Sequence, residues 1–358
     1  MLISKTIAYS AASWSVIMVS LKDISSACGV SIATVSKALN NYKDVSDETR
    51  SRIRKIADEM GYMPNSAAKA LKTNRTYNLG ILFMDEARFG LTQEYFSALL
   101  DSFKRHAEAK GYDLTFINSN SSRANRMSYL AHSRYRGFDG VCIACVDFYN
   151  PDVVELVRSS IPIVTIDHVF DNRMVVQSDN VAGIHDLMQY IYDQGHRRIA
   201  YIHGLDSTVT QARLSSFYNT ALSLGLDVPD EYVQEAPYRN TTITYQKTLE
   251  LLHLRQPPTC ILYPDDFAAL GGINAIRSLG LTIPGDVSIA GYDGIRMTRH
   301  LSPKLTTIRQ DTENMGAQAA EKLISLIEHP KSTLIERVMV EGTLYRGETI
   351  GVLHPTSR

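Results

Sequence analysis

Apolar and polar positions change rhythm along this chain. From Ser20 to Gly61 apolar residues recur every three or four positions in short runs, whereas from Asn78 onward short apolar runs alternate with longer amphipathic stretches. In the first zone, SLKDISSACGVSIATVSKALN predicts two short helices split at Cys28 and Gly29. Ser20 caps the first, Asp23 favours its positive end, and Ile24 and Ala27 are expected to face inward. Gly29 supplies the freedom a tight turn needs, with Val30 packing under it. Ser31 caps the second helix, whose apolar stripe is Val35, Ala38 and Leu39. A third helix follows from Ser46 with Ile53, Ile56, Ala57 and Met60 on one face, Arg50, Arg52, Arg54 and Lys55 on the other, and Gly61 as its stop.

The second helix leaves Ile32, Ala33, Thr34, Ser36 and Lys37 outward near its N-terminus, where a recognition helix meets base edges and phosphates. Lys37 is the residue best suited to a guanine or a phosphate. Taken alone, such a hairpin reads more readily as a small helical pair with a solvated face. Pro64 then breaks the chain, Asn65 can cap, and SAAKALK is an Ala-rich helix too short to be stable alone in water. Leu71, between Lys69 and Lys72, suits a wedge in the minor groove, or it packs on the larger unit as part of a plain linker.

The second zone predicts an α/β fold with a parallel doubly wound sheet. Its strands are LGILFM, DLTFIN, GVCIACV, IPIVTID, RRIAYIH, PTCILYP, DVSIAGYD and KLTTIRQ. That number suits two tandem lobes, with a division near Asp167 to Ser178 and a return near Asp293 to Thr306. No G-x-G-x-x-G or phosphate-loop lysine follows a strand, and no Ser, His and Asp grouping has the context of a nucleophile elbow. An enzymatic reading therefore lacks its residues.

Length and charge sharpen the division. At 358 residues the chain exceeds one ordinary core, so a small domain beside a large one is expected. With 44% hydrophobic and 21% charged residues, disorder, collagen and a multi-span membrane protein are poor readings. The net charge of -1 hides an asymmetry: residues 1 to 78 hold eleven Lys and Arg against six Asp and Glu, leaving an acidic remainder. A basic head on an acidic body implies that the head meets phosphate.

Four cysteines without close framework spacing imply a reducing compartment. Cys142 and Cys145 form a C-x-x-C inside VCIACV, where a buried strand would point them to opposite faces, so no metal or redox role is expected. His185, His196 and His203 fall on different elements, and structural roles are their default. The first twenty residues carry one charge, Lys5, but serines interrupt the run, it is short for a span, and no clear small-residue cleavage site follows. Met18 is expected to be the natural start, with residues 1–19 a disordered or mis-assigned extension.

The elements LKDI, GVSIATVSKALN, VSDETR, GYMPN and AAKALKTNRT, in this order and spacing, resemble the headpiece of the lactose and galactose repressor family of bacterial regulators. The resemblance implies a helix-turn-helix headpiece over 20–63, a hinge helix and linker over 64–77, and a two-lobed ligand-binding and dimerisation domain over 78–358 with the fold of periplasmic sugar-binding proteins. It implies that Ile32, Ala33 and Lys37 read the major groove and that Thr34 and Ser36 make phosphate or support contacts. It also implies that Leu71 enters the minor groove with Asn65 and Ala68 beside it.

In such a body, ligands sit at the carboxyl ends of the strands, between the lobes. The polar residues ending strands are Asp167, Asp265, Asp266, Asp293 and Gln310. Arg213, opening the helix RLSSFYNTAL, matches the family's cleft arginine, and Tyr95 and Phe96 match its aromatic pair. Carboxylates and an arginine fork bracket the hydroxyls of a polyol, while a flat aromatic face covers a sugar's carbon side. Asp167, Asp265 and Asp293 serve equally well as helix caps. His168 and Tyr238 are weaker candidates.

The expected protein is a cytoplasmic homodimer that binds double-stranded DNA at a near-palindromic operator. It is expected to regulate carbohydrate-utilisation genes, as a repressor, under a sugar-like effector, with no cofactor, metal or membrane partner. A purine or protein co-regulator is the runner-up, followed by an exported sugar-binding receptor.

Overall fold

The computed structural model describes residues 19–63, 75–84, 90–118 and 127–353. The segment expected as an extension, up to Met18, and the hinge segment with Asn65, Ala68 and Leu71 lie outside the described residues. The chain divides between Thr76 and Tyr77 into two compact units.

The first unit is built from α1 (Leu21–Cys28), α2 (Ile32–Leu39) and α3 (Asp47–Glu59). Serines start all three. The Ser20, Ser31 and Ser46 side chains accept from the backbone N–H groups of Asp23, Thr34 and Thr49, and Asp23 returns the bond to Ser20 in a capping box. Gly29 ends α1 at φ +64°, a backbone angle that an L side chain adopts at a cost. The core joins Ile24, Cys28, Val35, Ala38, Val45, Ile53 and Ala57. Ala27 is exposed rather than inward, and Cys28 takes the core position. An eight-residue helix with Ile24 inward buries the position one turn on, and i+4 is Cys28.

The second unit holds two parallel sheets, each covered by helices on both faces. Its elements run β1 (Asn78–Phe83), α4 (Glu94–Ala109), β2 (Asp113–Phe116), α5 (Tyr129–Arg136), β3 (Gly140–Ala144), α6 (Pro151–Val157), β4 (Ile163–Ile166) and β5 (Met174–Ser178). They continue with α7 (Asn180–Asp193), β6 (Ile199–His203), α8 (Thr208–Ser223), β7 (Val233–Glu235), α9 (Thr241–Leu252), β8 (Cys260–Leu262), α10 (Asp266–Ser278), β9 (Ser288–Asp293) and β10 (Thr306–Arg309). The last are α11 (Thr312–Glu328), β11 (Arg337–Val340) and β12 (Thr343–Tyr345).

One sheet has the order β11-β5-β4-β3-β1-β2 and the other β12-β10-β9-β8-β6-β7. Among the described strands, β12 alone runs antiparallel to its neighbour, with Ile308 opposite Leu344. In the first lobe α4 and α11 cover one face and α5 and α6 the other; in the second, α7 and α8 oppose α9 and α10. Being buried on both faces, the inner strands β1, β3, β4, β6, β8 and β9 read as continuous apolar runs.

The crossings correct two expectations. Met174–Ser178 is a strand of the first sheet, so the chain leaves that lobe only after Ser178. It returns after Arg309, not between Asp293 and Thr306, because β10 still pairs with β9. A third passage joins β11 to β12. Four strands escaped the sequence pattern, namely β5, β7, β11 and β12; β7 and β12 are three residues long and β11 alternates exposure at a sheet edge. Cys142 is buried in β3, whereas Cys145 lies just beyond the strand at φ +55°. Among the described residues, no helix is long and apolar enough to cross a membrane.

Candidate functional site

Two surfaces carry the chemistry, one on each unit. On the head, α2 is a short helix whose apolar stripe is used up by its neighbours, so its opposite face is left to solvent. Ile32 is 47% exposed, Ala33 and Lys37 are exposed, and Thr34 and Ser36 are half-buried. The Thr34 hydroxyl lies 2.8 Å from that of Ser31, within the cap. Lys37 is ion-paired to Asp44 in the loop before α3, and that partner raises the lysine and lowers the aspartate from their ordinary values. Arg50 pins the loop by donating to the carbonyls of Tyr42 (3.0 Å) and Val45 (2.9 Å) and to Asp47 (2.6 Å).

On the body, the sequence-predicted polar residues converge at the carboxyl ends of the strands. Asp167 follows β4 with φ +57° and Asp293 ends β9 with φ +104°, conformations that store strain and cluster at functional positions. One Asp167 oxygen accepts from Ser178 N–H at 3.0 Å and the other from the Tyr95 hydroxyl at 2.9 Å. Asp293 accepts from Gln310 Nε2 at 2.6 Å, with Arg213 Nη2 4.0 Å away. Arg213, 3% exposed, donates to Asn180 Oδ1 (2.7 Å) and to the Pro264 carbonyl (2.9 Å), with its guanidinium 3.5 Å over the Tyr292 ring. It stands more than a turn into α8, which opens at Thr208, rather than at the helix start. Phe96 packs edge-on against Tyr95 and Phe83.

Burial dominates the electrostatics. It pushes the Asp293 carboxyl up to about 7, against the pull of Arg213 and with a further push from Asp265. Burial also raises Asp167, partly opposed by the Ser178 N–H and the Tyr95 hydroxyl. Asp266 stands well above the ordinary carboxylate range for the same reason, with Asp293 adding to the effect.

Asp265 is bonded differently from Asp167 and Asp293. It is the N-cap of α10, accepting from Ala268 N–H at 2.8 Å, and its second oxygen accepts from Arg239 N–H at 2.7 Å. Asp266 likewise holds Thr307 and the Ile295 N–H. These two aspartates tie loops together. Tyr238 bonds Thr210 at 2.8 Å, and His168 stacks on Phe148 with ring centroids 4.1 Å apart.

Sequence reasoning missed Asn180 and Tyr292, which hold Arg213 from the side and from below. Their signals were faint: Asn180 sits in SDN at a strand end, and Tyr292 in GYD just before Asp293. Among the described residues, the buried Tyr292 and Ser178 hydroxyls have no hydrogen-bond partner. Among the contacts that span the lobes, Thr208 Oγ1 donates to the Asp167 carbonyl at 2.8 Å, and Arg296 N–H donates to Glu94 at 2.6 Å.

A capped three-helix head whose second helix leaves Ile32, Ala33 and Lys37 exposed, joined to a two-lobed body with polar strand ends, is the arrangement of a DNA-binding regulator with a ligand-type domain. Residues 20–65 match the lacI family of bacterial regulatory proteins, and residues 188–350 match the periplasmic binding protein-like domain. The chain belongs to the lacI family.

It is 30% identical over 353 residues to the HTH-type transcriptional repressor PurR of Pectobacterium atrosepticum, covering 92% of this chain and 99% of that protein. The Lac repressor dimer bound to operator and the anti-inducer ONPF has the same fold, with a TM-score of 0.77, 23% identity, and coverage of 93% and 99%. The transcriptional regulator CelR in complex with cellobiose is similar at a TM-score of 0.66 and 22% identity, covering 92% and 99%.

Proposed function

We propose that the protein is a homodimeric transcriptional repressor whose grip on a near-palindromic operator is set by a sugar-like effector held between the lobes. The observation that carries the effector class is the ring of directed polar groups at the strand ends. Asp167 and Asp293, on strained backbone, face Arg213 and Gln310, while the Tyr292 and Ser178 hydroxyls lie close by without partners. Acceptors, a guanidinium and hydroxyls in one small volume match the alternating donors and acceptors of a polyol. Tyr95 and Phe96 supply the apolar face. Asp265, with both oxygens engaged by backbone, serves this site by fixing α10 and the Arg239 loop. The head meets DNA through Ile32, Ala33 and Lys37, with Thr34 and Ser36 in support, and the family resemblance assigns Asn65, Ala68 and Leu71 to the minor groove.

A purine effector is the second reading, favoured by the similarity to PurR and by the same aromatic pair. Calorimetry of the full chain against neutral sugars, sugar phosphates and purines separates the two. A sugar is expected to bind and to change operator affinity by about five- to 150-fold, the usual range of allosteric coupling. Binding by purines alone, or operator affinity that is the same with and without a bound sugar, overturns the proposal.

A further inference from the structure

Lys37 offers the exposed face of α2 its single positive charge, yet Asp44 holds it. The two are seven residues apart, on different elements, and both side chains are about half exposed (48% and 53%). The loop that carries Asp44 is fixed. Arg50 takes two of its carbonyls, Arg54 donates to Asn41, and Val45 is buried in the core. The carboxylate is therefore placed beside the lysine by packing. Lys55 and Glu59 on α3 make a looser pair, four residues apart on one helix at 3.9 Å.

We propose that Asp44 is a specificity residue of the DNA-facing surface: by holding the Lys37 ammonium it withholds that charge from arbitrary phosphates, and so weakens binding to random duplex more than binding to operator. This rests on α2 being the helix that meets DNA.

Binding to random sequence comes almost entirely from neutralising phosphates and releasing their counterions. A lysine already paired with a carboxylate adds no net charge to that exchange. A base edge asks for something else. An ammonium has three N–H donors, so one can stay on Asp44 while the others reach guanine O6 and N7. The carboxylate then holds the ammonium in place, and its presence costs random binding without an equal loss at the correct site.

The test compares the full-length wild type, D44N, E59Q, K37A and the double variant K37A/D44N on a random-sequence duplex, by anisotropy from 50 to 200 mM salt. An inverted repeat selected by the wild type serves as operator, and circular dichroism checks that each variant is folded. D44N is expected to bind random duplex about fivefold tighter near 0.15 M salt, with the log–log salt slope steeper by about one. Its gain on the selected repeat is smaller, so the specificity ratio falls. In the K37A background the gain disappears.

E59Q removes the same charge elsewhere on the head and is expected to give less than half the effect. An unchanged D44N, an equal gain from E59Q, or a gain that persists without Lys37 overturns the role of Asp44. A wild type that binds neither random duplex nor any inverted repeat overturns the DNA-facing reading of α2, and Asp44 falls with it.

Discussion

Asp265 and Asp293 look alike in the sequence, each an acidic residue closing an apolar run, and the folded chain treats them in opposite ways. Asp265 has an ordinary extended backbone and spends both oxygens on N–H donors, whereas Asp293 takes φ +104° and receives a side-chain amide and a distant guanidinium. A strand-end aspartate was legible from residue type; which one caps a helix depends on where the next N–H groups fall, and no spacing rule carries that.

The same contrast yields a prediction for Asp293. Its carboxyl moves from the ordinary 3.8 to about 7 on folding, because burial disfavours the anion. The folded state then holds the proton more tightly than the unfolded chain, so the associated stability is complete below about pH 4 and drains away as pH climbs through about 7. Urea unfolding of the full chain between pH 5 and 8 is expected to show a downward slope in the wild type. Asp293→Asn, which keeps the acceptor for Gln310, is expected to flatten it. Equal slopes in the two proteins contradict the assignment.

Helices and strands were readable in proportion to how much of their signal was local. The three serine caps of the head and the buried strands β1, β3, β4, β6 and β9 stand out in the sequence, because caps and double-sided burial leave marks within a few residues. β7 and β12 form because a neighbouring edge pairs with them, and three residues are too few to show a period. The packing of α4 on α11 was equally silent, since more than two hundred positions separate the partners.

That packing depends on Gly316. A Cβ there would lie 2.3 Å from the Leu99 carbonyl oxygen and 2.7 Å from the Phe103 nitrogen, both backbone atoms that cannot turn aside. Gly316→Ala gains helix propensity of about 1 kcal/mol but overpacks a helix crossing by about 1–3 kcal/mol. A net loss in urea midpoint is the expected outcome, and a more stable protein would show that the two helices have room to separate.

For the molecule as a whole, the contacts that matter most are those few that bridge the lobes. Glu94 at the start of α4 receives the Arg296 N–H, and Thr208 at the start of α8 reaches the Asp167 carbonyl. The Arg296 guanidinium is largely exposed, so its ion pair with Glu94 is worth at most about 1 kcal/mol. That is enough to move a closing equilibrium by about fivefold. Glu94→Ala is expected to weaken effector binding by up to that factor, in calorimetry, while leaving the urea midpoint nearly unchanged. A large loss of stability would instead make Glu94 a fold residue.

The three passages of the backbone between the sheets have a mechanical corollary. A protease that nicks one of them leaves the halves tethered by two covalent threads, so the nicked body should still elute as a single species under native conditions.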